Sequence, residues 1–211
     1  MKKNRIICIF LLFALCLVSL SSCSDVIKLS DIGNGEYYDQ ENDVSYKAVT
    51  SEYEPIAYGV EYAQWKVNGE KVILYTVEGL EPTKWLYCVQ FGTLFCASDI
   101  SVPDPKTLDY SKMIICLEEA QTWSVFELDD MVEISSIMIN MNDGETMQYP
   151  STEATYSYRL KFVSAELPGI YYTVAYYEYT ETQTGCFYFR EDNQRCVISN
   201  KLFSEYLEDD E

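Results

Sequence analysis

Tyr156-Ser157-Tyr158-Arg159-Leu160-Lys161-Phe162 alternates a large apolar side chain with a polar or cationic one at every step. Successive side chains of a strand point to opposite faces. Tyr156, Tyr158, Leu160 and Phe162 therefore share one side, and Ser157, Arg159 and Lys161 share the other. This is the pattern of an antiparallel strand packed on one face and wet on the other. The reading extends outward. Residues 61–67 and 70–77 flank Asn68-Gly69, a pair that tolerates positive φ and closes a two-residue hairpin. In residues 84–91, Trp85, Tyr87, Val89 and Phe91 fall on one face. Further strands are predicted over 113–117, 123–128, 132–140, 145–149, 170–179, 186–190 and 195–199, with Asp143-Gly144 and Pro168-Gly169 as turns between them. About ten short strands at regular spacing predict an all-β fold, an antiparallel β-sandwich or barrel.

Composition places limits on this domain. The chain has 211 residues, 34 acidic and 15 basic, and no histidine. Residues 54–203 are long enough for one all-β domain with a core of its own. Nineteen tyrosines against nine phenylalanines suit sheets that are half covered and half wet, because a buried tyrosine hydroxyl needs a partner. Residues 23–53 read as an acidic flexible tether: they include seven acids, the run Gly33-Asn34-Gly35, and no sustained period of 2 or 3.6. Residues 204–211 read as an acidic tail.

At the other end, Lys2, Lys3 and Arg5 precede an apolar run from Ile6 to Leu20, and Leu20-Ser21-Ser22-Cys23 closes it with small residues leading into a cysteine. A run of this length is short for a membrane span, which needs roughly 20 residues. The layout resembles the bacterial lipoprotein signal peptide with its lipobox. The resemblance implies cleavage after residue 22, a diacylglycerol on the Cys23 sulfur, and acylation of the new amino group. Two or more acyl chains anchor stably where one does not. Ser24, rather than an aspartate, follows the cysteine, and in lipoproteins of this type that favours the outer membrane, at its periplasmic face or the cell surface. Removing residues 1–22 takes away three of the 15 basic residues and no acid, leaving a formal charge of −22. Such a chain does not bind nucleic acid through phosphates. Nor does it gain membrane affinity from charge.

Two other likenesses bear on the fold. Trp65-Lys66-Val67-Asn68-Gly69 looks like the Trp-containing hairpin of immunoglobulin-like domains, and Glu153-Ala154-Thr155-Tyr156-Ser157-Tyr158 looks like their later tyrosine-bearing strand. About ninety residues separate Trp65 from Tyr156, more than one such domain spans. An up-and-down series of hairpins resembles a lipocalin-type barrel.

The chemistry-bearing residues are few. Without histidine, Ser-His-Asp and Cys-His arrangements are impossible, and the glycines fall at turns rather than in a phosphate cradle. Glu118-Glu119 and Asp129-Asp130 are the carboxylate doublets that sugar-bond hydrolysis could use, but adjacent acids on a strand face opposite ways. Five cysteines remain beyond Cys23: Cys88, Cys96, Cys116, Cys186 and Cys196. Cys186 and Cys196 flank a polar stretch as a hairpin-closing disulfide would. No metal site or cofactor is predicted. Trp65, Trp85 and Trp123 are the candidates for an aromatic surface that stacks on sugar rings. The sequence thus predicts a lipid-anchored lipoprotein with a non-catalytic binding or structural role, whose partner is a glycan or another surface protein. A small glycan-acting enzyme and a lipocalin-like carrier of an apolar ligand are the alternatives.

Overall fold

The computed structural model describes residues 26–49, 52–118, 122–148, 150, 152–189, 192 and 194–207; the expected signal peptide and Cys23 lie outside the described residues. The first part of the chain forms β1 (Ile27–Gly33), β2 (Glu36–Asp39), β3 (Val44–Ala48), β4 (Tyr53–Pro55), β5 (Tyr58–Val67), β6 (Glu70–Val77), β7 (Trp85–Cys88) and β8 (Thr93–Ala97). All but β4 close a seven-stranded barrel in the order β1-β2-β3-β8-β7-β6-β5. Its seam is a short parallel pairing in which Ile27 faces Ala63 and Lys28 faces Gln64. The β5–β6 hairpin turns at Asn68 and Gly69 with φ of 51° and 88°, the conformation their sequence favours. Leu29, Tyr46, Trp65, Leu74, Leu86 and Phe95 fill the barrel interior, with the Tyr37 ring 4.3 Å from that of Trp65.

The second part builds β9 (Tyr110–Glu118), β10 (Thr122–Leu128), helix α1 (Met131–Asp143), β11 (Thr146–Met147), β12 (Tyr156–Ser164), β13 (Ile170–Tyr179), β14 (Thr184–Phe189) and β15 (Arg195–Ser199). They form an antiparallel sheet in the order β10-β9-β12-β13-β14-β15-β11, and β4 crosses over to pair with β13. The alternation along β12 is realised: Tyr158, Leu160 and Phe162 are fully buried. They share one core with Tyr172, Val174, Tyr176 and Phe187 of the same sheet. Val77, Trp85, Leu94 and Cys96 from the outer wall of the barrel join it, as do Ile134, Ile137 and Met141 of α1. Each such aliphatic or aromatic side chain contributes about 1.5–3 kcal/mol on burial. The all-β class therefore holds, with fifteen strands among the described residues.

Three expectations are corrected. Residues 27–48, read as a tether, form three barrel strands. Gly33-Asn34-Gly35 is the β1–β2 turn, with φ positive at all three positions. These strands are polar because they cover one face only, through Leu29 and Tyr46, while Asp39 is buried with its carboxylate accepting from the Glu41 and Asn42 amides. Residues 132–140, read as a strand, lie in α1. Asp130 caps it, accepting from the amides of Val132 and Glu133. Gly144, expected in a hairpin, is the helix C-cap, where a Cβ would come within 2.4 Å of the Asn140 carbonyl. The tail begins as a 3-10 turn, Phe203–Leu207, whose first amides at Phe203 and Ser204 donate to the buried Glu178 carboxylate. Residues 208–211 lie outside the described residues.

Candidate functional site

The helix and the barrel both cover the inner face of the second sheet; its outer face is open apart from a small buried cluster, Tyr179, Cys186 and Cys196, against which Met147, Ala154, Tyr177 and Tyr188 pack. Alternation sends Arg159 and Lys161 of β12 there. From β13 come Tyr171, Thr173, Ala175 and Tyr177, and from β14 comes Tyr188. At the edge next to β4 the cations are matched. Arg159 donates to Glu118 and to Glu54, each at 2.7 Å, and Lys161 reaches the second oxygen of Glu54 at 3.0 Å. Burial opposes the charge on Arg159, but its bonds to Glu118 and Glu54 outweigh that and hold its pKa above the ordinary value. The Lys161 ammonium lies 5.4 Å from the centre of the Tyr171 ring.

Beside this network the face hollows into a recess of about 520 Å³ lined by Glu52, Arg159, Thr173, Ala175, Tyr177, Tyr188 and Gln194. Tyr177 and Tyr188 sit on neighbouring strands with ring centres 5.8 Å apart and planes inclined at 56°. A second hollow of about 630 Å³ continues along the sheet, lined by Tyr179 and five threonines: Thr152, Thr155, Thr180, Thr182 and Thr184. Aromatic faces next to hydroxyls, an amide and a half-buried guanidinium can stack on and hydrogen-bond a polyhydroxylated ligand.

The expected aromatic surface is not assembled. Trp65 is buried inside the barrel and Trp85 in the core between barrel and sheet, while Trp123 is 52% exposed on the edge strand β10. Trp65 is enclosed because its strand closes into the barrel, and Trp85 faces out of the barrel wall but is covered by the second sheet; both follow from topology rather than from local pattern. The carboxylate doublets are likewise dispersed: Glu118 pairs with Arg159, Asp130 caps α1, and Glu119 lies outside the described residues. Among the described residues no group of three or more Cys, Asp or Glu side chains could hold a metal ion. Nor is any helix among them long and apolar enough to cross a membrane.

The expected Cys186–Cys196 bridge is corrected: both are free, buried thiols in hydrogen-bond contact. Cys186 lies opposite Ile198 and Cys196 opposite Tyr188, so the two are diagonal rather than direct neighbours. Diagonal positions are about 7–8 Å apart, beyond the usual Cα separation for a disulfide. Burial pushes the Cys186 thiol up to about 12, with the adjacent Cys196 adding to the effect.

Sequence reasoning had placed Arg159 and Lys161 on the wet face, but it missed Tyr177 and Tyr188. The period-2 pattern of β13, with Tyr171, Tyr177 and Tyr179 out of phase with the buried Tyr172 and Tyr176, was the available signal. No family model matches the chain, and neither a curated protein nor a solved structure does.

Proposed function

We propose that this protein is a lipid-anchored lipoprotein of the outer membrane or cell surface that binds a glycan on the open face of its second sheet. The anchor reading rests on the basic start, the apolar run and Leu20-Ser21-Ser22-Cys23. The binding reading rests on one observation: the half-buried Tyr177–Tyr188 pair beside Arg159 and Gln194 in a recess on the outer face of the sheet. Neutral or acidic sugars fit this lining, because apolar ring faces stack on tyrosine while hydroxyls meet Gln194 and the part of Arg159 not engaged by Glu118 and Glu54. Glu52 lines the recess, and the two carboxylates beside it, Glu54 and Glu118, already hold cations, so no facing pair of unengaged acids is added there, which favours recognition over glycosidase-type acid–base work at this face. Side chains fill the barrel interior, so the carrier alternative has no observation in its favour.

The test is a glycan array probed with the folded, acyl-free chain, followed by titration of the strongest ligand. Tyr177→Ala and Tyr188→Ala should each weaken binding by about 0.5–1.5 kcal/mol, the worth of one aromatic packing contact. Binding unaffected by both changes would remove the recess from the account, and capture of a protein instead of a sugar would move the partner to the surface-protein class.

A further inference from the structure

The exposed apolar side chains of the barrel are not scattered. Ile56, Tyr58 and Val60 occupy alternate positions entering β5, at 46%, 47% and 70% exposure. Tyr58 is backed by the rings of Tyr75 and Tyr87, at 5.6 and 5.4 Å, so the patch stands on a rigid aromatic base. A second group, Ile32, Val67, Val89 and Phe91, sits at the turns of the opposite end, since β1, β5 and β7 all run towards it.

The seam decides which end faces the lipid. β1 runs parallel to β5 with Ile27 opposite Ala63, so Val60 lies three residues back along β5, at most about 10 Å because the β5–β6 register shifts on both sides of Glu61. Cys23 is four residues before Ile27, a reach of at most about 14 Å. Four residues of chain are thus enough to bring acyl chains on Cys23 to the end of the barrel that carries Val60. We infer that Ile56, Tyr58 and Val60 form a membrane-contact patch that seats the barrel, N-terminal end down, on the bilayer holding the Cys23 acyl chains. This rests on the lipid-anchor reading. A chain of charge −22 gains nothing from anionic headgroups, so apolar side chains beside the anchor are the contact open to it. Of the acids beside the patch, Glu61 is paired with Lys71 at 3.8 Å, and the exposed Glu78 donates its amide to the Ala57 carbonyl at 3.0 Å. The hairpin tips bearing Ile32, Val67 and Phe91 then point away from the membrane.

The experiment uses the full acylated chain in phosphatidylcholine vesicles containing a headgroup-nitroxide lipid. A bimane label is placed at Val60→Cys or at Phe91→Cys, the native thiols being buried. Loss of emission at position 60 with none at position 91 is the expected result. Equal quenching at both, or quenching at 91 alone, overturns the proposal. Flotation with vesicles without quenching at 60 overturns it while leaving the anchor intact. Failure of the unlabelled chain to float overturns the anchor reading first, and the seating with it. Hydrogen exchange on the unlabelled chain gives the same answer without substitution: amides 58–62 should slow on vesicles, and amides 89–92 should not.

Discussion

Gly185 occupies a point in β14 where a single methyl group decides whether the sheet can close over the C-terminal segment. A Cβ there would lie 1.8 Å from the Tyr176 hydroxyl oxygen and 2.3 Å from Cζ. Carbon contacts are comfortable at about 3.5–4.0 Å, so in Gly185→Ala the ring must retreat by roughly 2 Å. It has nowhere to go. The ring centres of Phe187 and Phe203 lie 4.9 and 4.8 Å away, and the hydroxyl donates to the Lys201 carbonyl. Overpacking of this kind costs about 1–3 kcal/mol. Losing the buried hydroxyl's partner adds about 1–3 kcal/mol. Gly185→Ala should therefore destabilise by about 2–6 kcal/mol, and the middle of that range is a drop of roughly 10 °C in Tm. Tyr176→Leu alone should cost about 2–4 kcal/mol through its cavity. The double variant should be at least about 1 kcal/mol more stable than the two costs added, because the leucine vacates the space that the alanine needs. Urea unfolding of all four chains, read as midpoint shifts at constant slope, provides the cycle. A Gly185→Ala chain within about 0.5 kcal/mol of the parent, or strict additivity, would refute the reasoning.

Two further outcomes follow from buried groups. Denatured protein processed at Cys23 should show five thiols to dithionitrobenzoate and the folded protein almost none, since all five are buried; a count of three would mean that Cys186 and Cys196 had joined. Glu133 accepts from Lys201 and from Tyr206, and chiefly the Lys201 bond holds its carboxyl below the usual value of 4.5. A lowered folded pKa means stability that is complete above pH 4.5 and lost as the pH falls through the folded value. Glu133→Gln should thus cost about 0.5–1 kcal/mol at pH 7, and the gap in Tm between the two chains should narrow on acidification; a gap that widened would contradict the assignment.

The strands that the sequence made legible are those with a long, one-sided alternation. β13 and β15 occupy the expected residues 170–179 and 195–199, and β12, expected over 155–163, runs from Tyr156 to Ser164. β1 to β3 were hidden because a short polar strand buries few residues and depends on partners distant in the chain, such as Ala63 for Ile27 and Ala97 for Tyr46. α1 was misread because Val132, Ile134, Ile137, Met138 and Ile139 offer apolar residues to both periods. Its discriminating signal was the acid at the cap followed by Glu133, with Ile134, Ile137 and Met141 spaced three and four apart. The recess was half legible. The outward phase of Arg159 could be read from β12 alone, whereas the meeting of Tyr177 with Tyr188 depends on the register of two strands.

β4 has a consequence for how such a chain can change over generations. Residues 27–97 and 110–199 look like two modules joined at a Pro-containing linker, each with its own sheet. Yet β4, lying in sequence between β3 and β5, pairs Tyr53, Glu54 and Pro55 with β13, and the Tyr53 hydroxyl donates to the Pro103 carbonyl at 2.7 Å. A recombination that swapped either half would strip a strand from the sheet, take Tyr53 from the shared core, and leave Arg159 and Lys161 without Glu54. The two halves are bound to be inherited together, and diversification has the surface loops and the open sheet face in which to act.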